Sequence, residues 1–414
     1  MPRIAVLGGG VSGLALAYAL QKEAEVVVFE QRDRVGGNIR SEIFEGCLVE
    51  WGPNGFLDNE PATLHLVAEL GLTDRVQQAR KGAARRFVWR RGKLRGLPES
   101  PGKFLTSDCL SLGARLRVLF EPWAKGAPPG DDESVRAFAA RRIGKGAADV
   151  LVDAFVTGIF AGDPSRLSVA SAFPRLRAVE AEHGSLIKGF KAKKRAGPSG
   201  TLTSFEGGME VLIRALAEWL DVRLEAQVQK LDPGEFDQVI CTVPATRAAA
   251  LVDDELAVLL RQIPTAPVAV VATIFREPLD VPDAFGFLAP HNQGLRILGT
   301  LYDSSIFPGR APDGFRLFRT MVGGRRDPDA VALSDDELLH IVAEDLRRVW
   351  GVWPEPHAVR VIRHPVGIPQ YEIGHGALLE RIDAARPPWL YLTGSSYRGV
   401  SVNACVKEAL DWTP

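Results

Sequence analysis

Residues 4–30 read IAVLGGGVSGLALAYALQKEAEVVVFE, and no other stretch narrows the fold as much. A short apolar run enters a glycine cluster, a helical segment follows, and a β-branched run ends on an acid. Gly8, Gly10 and Gly13 stand in G-x-G-x-x-G spacing directly after the first predicted strand. In that setting Gly8 permits a tight turn, Gly10 lets backbone approach a phosphate, and Gly13 lets the helix pack on the strand. The helix N-terminus then faces a pyrophosphate, and Glu30 falls where a ribose hydroxyl needs an acceptor. Three glycines alone are a weak signal, because glycine turns are common. Strand, helix, strand and terminal acid in that order predict a dinucleotide-binding unit.

Glu30 does not separate nicotinamide from flavin dinucleotides. The next residues do more: Arg34, Gly36 and Gly37 place a cation and a flexible glycine pair just beyond the acid. They resemble the R-x-G-G element of two-dinucleotide-type flavoproteins, in which it extends the FAD pyrophosphate site. FAD is the favoured cofactor.

A chain of 414 residues exceeds one ordinary core and predicts two or three domains. Its net charge of −1 gives no global attraction for nucleic acid. The four cysteines lack C-x-x-C or metal-like spacing, so reduced thiols in a cytoplasmic protein are expected, with neither a disulfide framework nor a metal site. The first strand begins within a few residues of Met1, leaving no room for a signal peptide. The longest apolar run, Ala266 to Phe275, is short and β-branched, so it predicts a buried strand and no membrane span.

Residues 61–70 predict a helix. From Arg80 to Lys103 nine basic residues face the single acid Glu99, and RRFVWRRGKLRGLP predicts a hairpin turning at Gly92. A helical region follows to about residue 194, with breaks at KGAPPGDDES and AGDPSRLS and a cap from Asp131 to Ser134. VRLEAQVQKL and FDQVICTVPA then predict short strands. Runs around 267–275, 285–290 and 295–305 predict an antiparallel sheet, and Ser334 caps an amphipathic helix.

Through these segments the chain resembles the flavin amine oxidase superfamily and, within it, the oxygen-dependent protoporphyrinogen oxidases. The resemblance rests on VEWGPNGFLDNEPAT, RRFVWRRGKLRGLP, FVTGIFAGDPSRLSVASAFPRL, SFEGGMEVLIRALA, FGFLAP, PVGIPQYEIGH and LTGSSYRGVSVNACV, in family order along nearly the whole chain. TGIFAGDP and GIPQYEIGH are the most particular of these. The implied fold is α/β: a discontinuous, Rossmann-like FAD-binding domain (1–78, 200–248 and 385–414) with two insertions. One is an antiparallel-sheet substrate domain (79–92 and 249–384), the other an α-helical, membrane-docking domain (93–199). The meander before FDQVICTVPA is cut to LDPGE, which implies a smaller FAD-domain sheet, and the final helix stops at EALDWTP.

The resemblance also implies roles, one position at a time. Gly52, Pro53 and Asn54 match the loop passing the flavin, with Asn54 at the reacting face in a catalytic role. Val228 matches a backbone contact to the adenine. Gly394, Gly399, Val400 and Ser401 match a turn under the isoalloxazine, where helix-start N–H groups can stabilise negative charge. Arg86 matches an arginine that pairs with a porphyrinogen propionate, a task suited to a forked guanidinium. Gly158 matches a close approach to the macrocycle, and Phe285, Gly286 and Leu288 an apolar clamp. Read without the resemblance, Arg86 is equally a solvated surface arginine, and a strand phenylalanine is ordinarily core.

The seven histidines form no paired or metal-like spacing, and no nucleophile elbow or acid pair stands out. That pattern suits flavin chemistry, in which the protein orients substrate and keeps the site dry. The implied reaction removes six electrons from protoporphyrinogen IX in three two-electron steps, with O₂ reoxidising non-covalent FAD to give hydrogen peroxide. Coproporphyrinogen III oxidation, amine oxidation and a catalytically silent FAD-containing tetrapyrrole-binding protein stay open beside it. Residues 103–125 mix apolar and basic residues as a peripheral helix on the inner membrane face does. An ordinary packed helix has the same pattern. A homodimer also stays open.

Overall fold

The computed structural model describes residues 1–98, 101–126, 130, 132–192 and 200–412. A five-stranded parallel sheet has the order Asp221–Arg223, Glu25–Phe29, Arg3–Leu7, Gln238–Cys241, Leu390–Leu392. Its strands are apolar on both sides because helices cover both faces. Strand alternation divides Arg3–Leu7 between them: Ile4 and Val6 pack with the helices Val11–Leu20 and Val402–Asp411, whereas Ala5 and Leu7 face the other way. Between Arg223 and Gln238 the chain is irregular, so VRLEAQVQKL contributes only its first residues to the sheet and no meander strand follows.

The second face of the parallel sheet is covered by helices from the stretch expected to form the substrate domain. Leu256, Leu259 and Leu260 of helix Asp254–Leu260, and Ile382 of helix His375–Ala385, pack with Ala5, Leu7 and Val239. The first helix, and all of the second but Ala385, fall within 249–384, the stretch assigned to the substrate domain, and both cover the parallel sheet.

The second large sheet has seven strands, ordered Ala358–Pro369, Thr265–Arg276, Phe315–Gly323, Ile297–Leu301, Gly286–Leu288, Arg86–Arg90, Lys93–Gly96. It is antiparallel except where Gly286–Leu288 pairs in parallel with Arg86–Arg90. The hairpin turns at Arg91 and Gly92, both with positive φ (52° and 72°), and Lys93–Gly96 extends the sheet. The expected limit at residue 92 therefore cuts a hairpin whose two arms are paired.

Ser134 caps helix Val135–Ile143, its Oγ accepting from the Ala137 N–H at 3.1 Å. Residues 127–129 and 131 of the KGAPPGDDES break, Asp131 of the expected cap included, lie outside the described residues, as do 193–199 at the limit between the helical and FAD segments. The helical segment is tied internally by wholly buried Arg142 and Glu121, joined by Glu180 and by Ser185, whose hydroxyl donates to Glu121 Oε2 at 2.5 Å. Among the described residues no helix is long and apolar enough to cross a membrane.

Candidate FAD and substrate site

The glycine loop is shaped by what each position must avoid. A Cβ on Gly13 would stand 2.0 Å from the Gly8 carbonyl oxygen and 2.7 Å from Thr242 Oγ1. Gly8 has φ +106°, a region strained for any side chain. Gly10 differs: a Cβ there would meet nothing within 4 Å, so its outer side is open. The helix Val11–Leu20 starts from this residue, with its unpaired N–H groups at that opening.

Glu30 is buried and holds the loop from below. Its Oε2 accepts from the Gly9 N–H at 2.8 Å and its Oε1 from the Arg32 N–H at 3.0 Å. Gly9 was passed over in the sequence, where only the three motif glycines carry a signature. A carboxylate has further lone pairs for a ribose hydroxyl. The Ala226 N–H donates to the Glu30 carbonyl at 3.0 Å, which brings the segment carrying partly buried Val228 alongside the acid.

The second glycine element packs on the first. The Gly36 N–H donates to the Gly9 carbonyl at 2.7 Å, and a Cβ on Gly37 would meet Gly10 Cα at 3.4 Å. Arg34 donates to the carbonyls of Val35 and Gly37 at 3.0 and 3.1 Å, so its guanidinium shapes its own loop. Burial lowers its pKa, with Arg32 and Arg40 adding to the effect.

Gly52 passes so close to Asn38 that a Cβ would stand 2.3 Å from the Asn38 carbonyl oxygen. Beyond it and Pro53 lies Asn54, whose amide nitrogen and oxygen are both buried without a hydrogen-bond partner. Asn403, on the first turn of helix Val402–Asp411, donates to the Leu57 carbonyl at 2.8 Å and leaves its Oδ1 unpartnered and buried. Buried polar atoms are nearly always paired. An open amide on the loop 52–57, a second held against its end at Leu57, and the open side of Gly10 are features that fit a large polar cofactor. Asn403 went unassigned in the sequence, although it stands within the quoted LTGSSYRGVSVNACV.

The C-terminal turn is built as tightly. Gly394 (φ +99°) lies against Ser12 on the first helix, and Gly399 has φ +110°. The Gly399 N–H donates to Tyr371 Oη at 2.7 Å, and that hydroxyl donates to the Ser395 carbonyl at 2.5 Å. This N–H is therefore committed to Tyr371 and is not one of the free donors expected at the turn. Ser401 caps the final helix by accepting from the Ala404 N–H at 3.1 Å, and Val400 packs beside Phe160 and Tyr371 of the helical segment's core.

On the substrate side, Arg86 and Gly286 are register partners, as are Val88 and Leu288. The Arg86 guanidinium lies over the Phe285 ring, 4.5 Å from its centroid. Arg86 is exposed, yet protein packed around it displaces enough water to lower its pKa, and no carboxylate among the described residues pairs with it. A cavity of about 350 Å³ opens beside it, with Leu97, Lys103 and Asp108 in its wall; the Asn54 loop is not part of that wall. Leu288 rests on Gly158, where a Cβ would come 3.1 Å from Leu288 Cδ1. Gly158 is exposed on helix Asp153–Phe160 with Phe155 and Ile159, an apolar stripe at i, i+3, i+4 spacing. Gly286 has a different reason to be glycine: a Cβ would lie 2.0 Å from the Thr300 carbonyl oxygen of the neighbouring strand.

Residues 11–411 match the model of the flavin containing amine oxidoreductases. Human protoporphyrinogen oxidase is 33% identical over 98% of this chain and 96% of its own length. The mitochondrial protoporphyrinogen oxidase of Nicotiana tabacum is 33% identical over 98% and 93%. The coproporphyrinogen III oxidase of Bacillus subtilis is 28% identical over 98% and 96%. A crystal structure from Exiguobacterium sp. 255-15, provisionally named a protoporphyrinogen oxidase, superposes with a TM-score of 0.86 at 25% identity, covering 99% of this chain and 97% of that one.

Proposed function

The chain belongs to the flavin containing amine oxidoreductases and is an FAD-dependent oxidoreductase, and from that premise we propose that it oxidises protoporphyrinogen IX to protoporphyrin IX. The observation that carries the substrate class is Arg86: a partly desolvated guanidinium without a carboxylate partner among the described residues, set over an aromatic ring at the edge of an apolar face. Such a group suits a carboxylate on a flat hydrophobic ligand. FAD, when bound, supplies a two-electron acceptor that O₂ restores, so three rounds remove six electrons and give hydrogen peroxide.

In this reading Gly8, Gly10, Gly13, Glu30, Arg34, Gly36 and Gly37 form the cradle of the ADP half, with Val228 at the adenine. Gly52, Pro53 and Asn54 border the flavin on one side; Gly394, Gly399, Val400 and Ser401 border it on the other. Asn54 orients the reacting face, Arg86 holds a propionate, Phe285, Gly286 and Leu288 form the clamp on the rings, and Gly158 lets backbone approach them. Coproporphyrinogen III, which carries two further propionates, is the second reading. The Bacillus subtilis relative and the cationic hairpin favour it. Anaerobic mixing of purified holoenzyme with each porphyrinogen tests both. The matching substrate bleaches the flavin absorbance and yields fluorescent porphyrin, whereas bleaching by neither refutes the proposal.

A peripheral membrane contact of this cytoplasmic enzyme belongs to the same proposal. Leu112, Leu116, Leu119, Phe120 and Trp123 are 63%, 47%, 44%, 60% and 77% exposed on and just after helix Leu112–Leu119. An apolar stripe of this kind suits burial in a lipid headgroup boundary. The protein is expected to float with anionic vesicles, and Leu116→Glu combined with Trp123→Ser is expected to leave it at the bottom of the gradient. Wild-type protein that stays at the bottom removes the contact.

A further inference from the structure

Three consecutive carbonyls, those of residues 50–52, just ahead of Pro53 and Asn54, are gripped by side chains of the seven-stranded sheet. Arg319 Nη1 donates to the Glu50 carbonyl at 2.7 Å and to the Gly52 carbonyl at 3.0 Å. His364 Nε2 meets the Trp51 carbonyl at 2.8 Å, and a carbonyl can only accept, so that nitrogen carries the proton. Arg319 and His364 lie on Phe315–Gly323 and Ala358–Pro369, the strands on either side of Thr265–Arg276.

The far side of Arg319 is locked as well. Its Nε and Nη2 fork onto Asp303 at 2.8 and 3.1 Å, and both side chains are 2% exposed. The Glu50 carboxylate accepts from Arg310 at 2.7 Å, from the Met209 N–H at 2.8 Å and from Ser41 at 2.7 Å. Arg310 also donates to Ser204 Oγ at 2.8 Å. Two buried arginines, Arg319 on the sheet and Arg310 in the connection that precedes its strand, thus hold Glu50 by its carbonyl and its carboxylate respectively. A need for cohesion alone is a poor reason for this choice, because well-packed apolar side chains do as well as buried ion pairs or better.

We propose that Arg319 is a positioning residue which, with His364, sets where Asn54 stands relative to the substrate sheet. The inference rests on the reading that the loop borders the flavin. Only Pro53 separates Asn54 from the last gripped residue, and its ring fixes φ, so a shift at Gly52 passes directly to Asn54. The same sheet carries Phe285 and Leu288, so the grip fixes the separation of the two halves of the site. A displacement of order 1 Å at such a place costs about 100-fold in rate.

The experiment compares Arg319→Lys, Asp303→Asn and, as a control, Arg142→Lys, a buried arginine of the helical segment that touches neither half of the site. Each holoenzyme is examined by visible circular dichroism of bound FAD, thermal melting, and anaerobic flavin reduction by porphyrinogen. Arg319→Lys keeps the charge facing Asp303 but cannot span both carbonyls. It is expected to alter the flavin dichroism and slow reduction about 100-fold, with porphyrinogen Kd changed less than threefold. Arg142→Lys is expected to lower the melting temperature and leave dichroism and reduction unchanged. Asp303→Asn leaves both loop contacts in place and is the milder second variant, with a smaller change in the same two signals. Wild-type dichroism and reduction rate in either variant, whatever its melting temperature, overturn the proposal. Failure of the functional reading looks different: wild-type flavin is not bleached by porphyrinogen, while the dichroism of the variants still reports on the grip.

Discussion

Gly13→Ala is expected to yield protein that purifies without FAD. The added carbon would lie 2.0 Å from the Gly8 carbonyl oxygen and 2.7 Å from Thr242 Oγ1. Neither neighbour can give way. Gly8 O belongs to the turn, and Thr242 is held in place by hydrogen bonds to Leu7 O at 2.9 Å and Gly8 O at 3.2 Å. The helix must therefore lift from the strand, which moves its N-terminus away from the pyrophosphate. Overpacking of this kind costs about 1–3 kcal/mol, and the displaced anion site adds to the loss of affinity. Gly10→Ala separates the two effects. Its new carbon meets nothing of the protein within 4 Å, so the apoprotein is expected to melt as the parent does. The methyl nonetheless occupies the side from which phosphate approaches, weakening FAD by at least tenfold, a difference of about 1.4 kcal/mol. The ratio of flavin to protein absorbance, titration with FAD and thermal melting read these outcomes. Wild-type FAD affinity in Gly10→Ala would place the pyrophosphate elsewhere.

The contrast between these glycines marks what a sequence carries. Turn geometry, close helix–strand approach and strand alternation are local, so the dinucleotide unit and its parallel sheet are legible from residues 4–30. The helix Asp254–Leu260 and its place as a cover for the parallel sheet are not among the elements read from the sequence, and its partners Ala5 and Leu7 lie near the start of the chain. The grip on residues 50–52 is less visible still. Arg319 contacts backbone carbonyls 269 and 267 positions away. Carbonyl acceptors leave no residue type to recognise, and in sequence Arg319 is one arginine among many. The same holds for Tyr371, whose hydroxyl holds the Gly399 turn. Gly286 carries a further reason that its place in FGFLAP does not reveal: the Thr300 carbonyl of the neighbouring strand leaves no room for a side chain.

Arg86 is the case in which structure separates what composition could not. Within a stretch of nine cations each looks like its neighbours. Folded, several of them have partners: Arg80 donates to the Ser304 carbonyl at 3.2 Å and Arg85 to the Asp283 carbonyl at 3.0 Å. Arg90 donates to the Cys109 carbonyl, and Arg95 pairs with Asp108. Arg86 instead lies over Phe285, on the strand paired with the one that carries Leu288. Arg86→Ala is therefore expected to raise KM for the porphyrinogen about 10–100-fold, the equivalent of a charge-assisted hydrogen bond of roughly 1.5–3 kcal/mol. The FAD content and the rate at saturation are expected to stay within threefold, since a contact made equally in ground and transition states changes KM alone. Arg86→Lys keeps the charge but loses the fork, so its KM should fall between the two. Parallel assays extend the argument to substrate choice. If Arg86 reads the one propionate end of protoporphyrinogen, Arg86→Ala damages that substrate more than coproporphyrinogen, whose two extra carboxylates give it further points of attachment. An equal loss for both substrates would refute that division of labour, and an unchanged KM would remove Arg86 from the site.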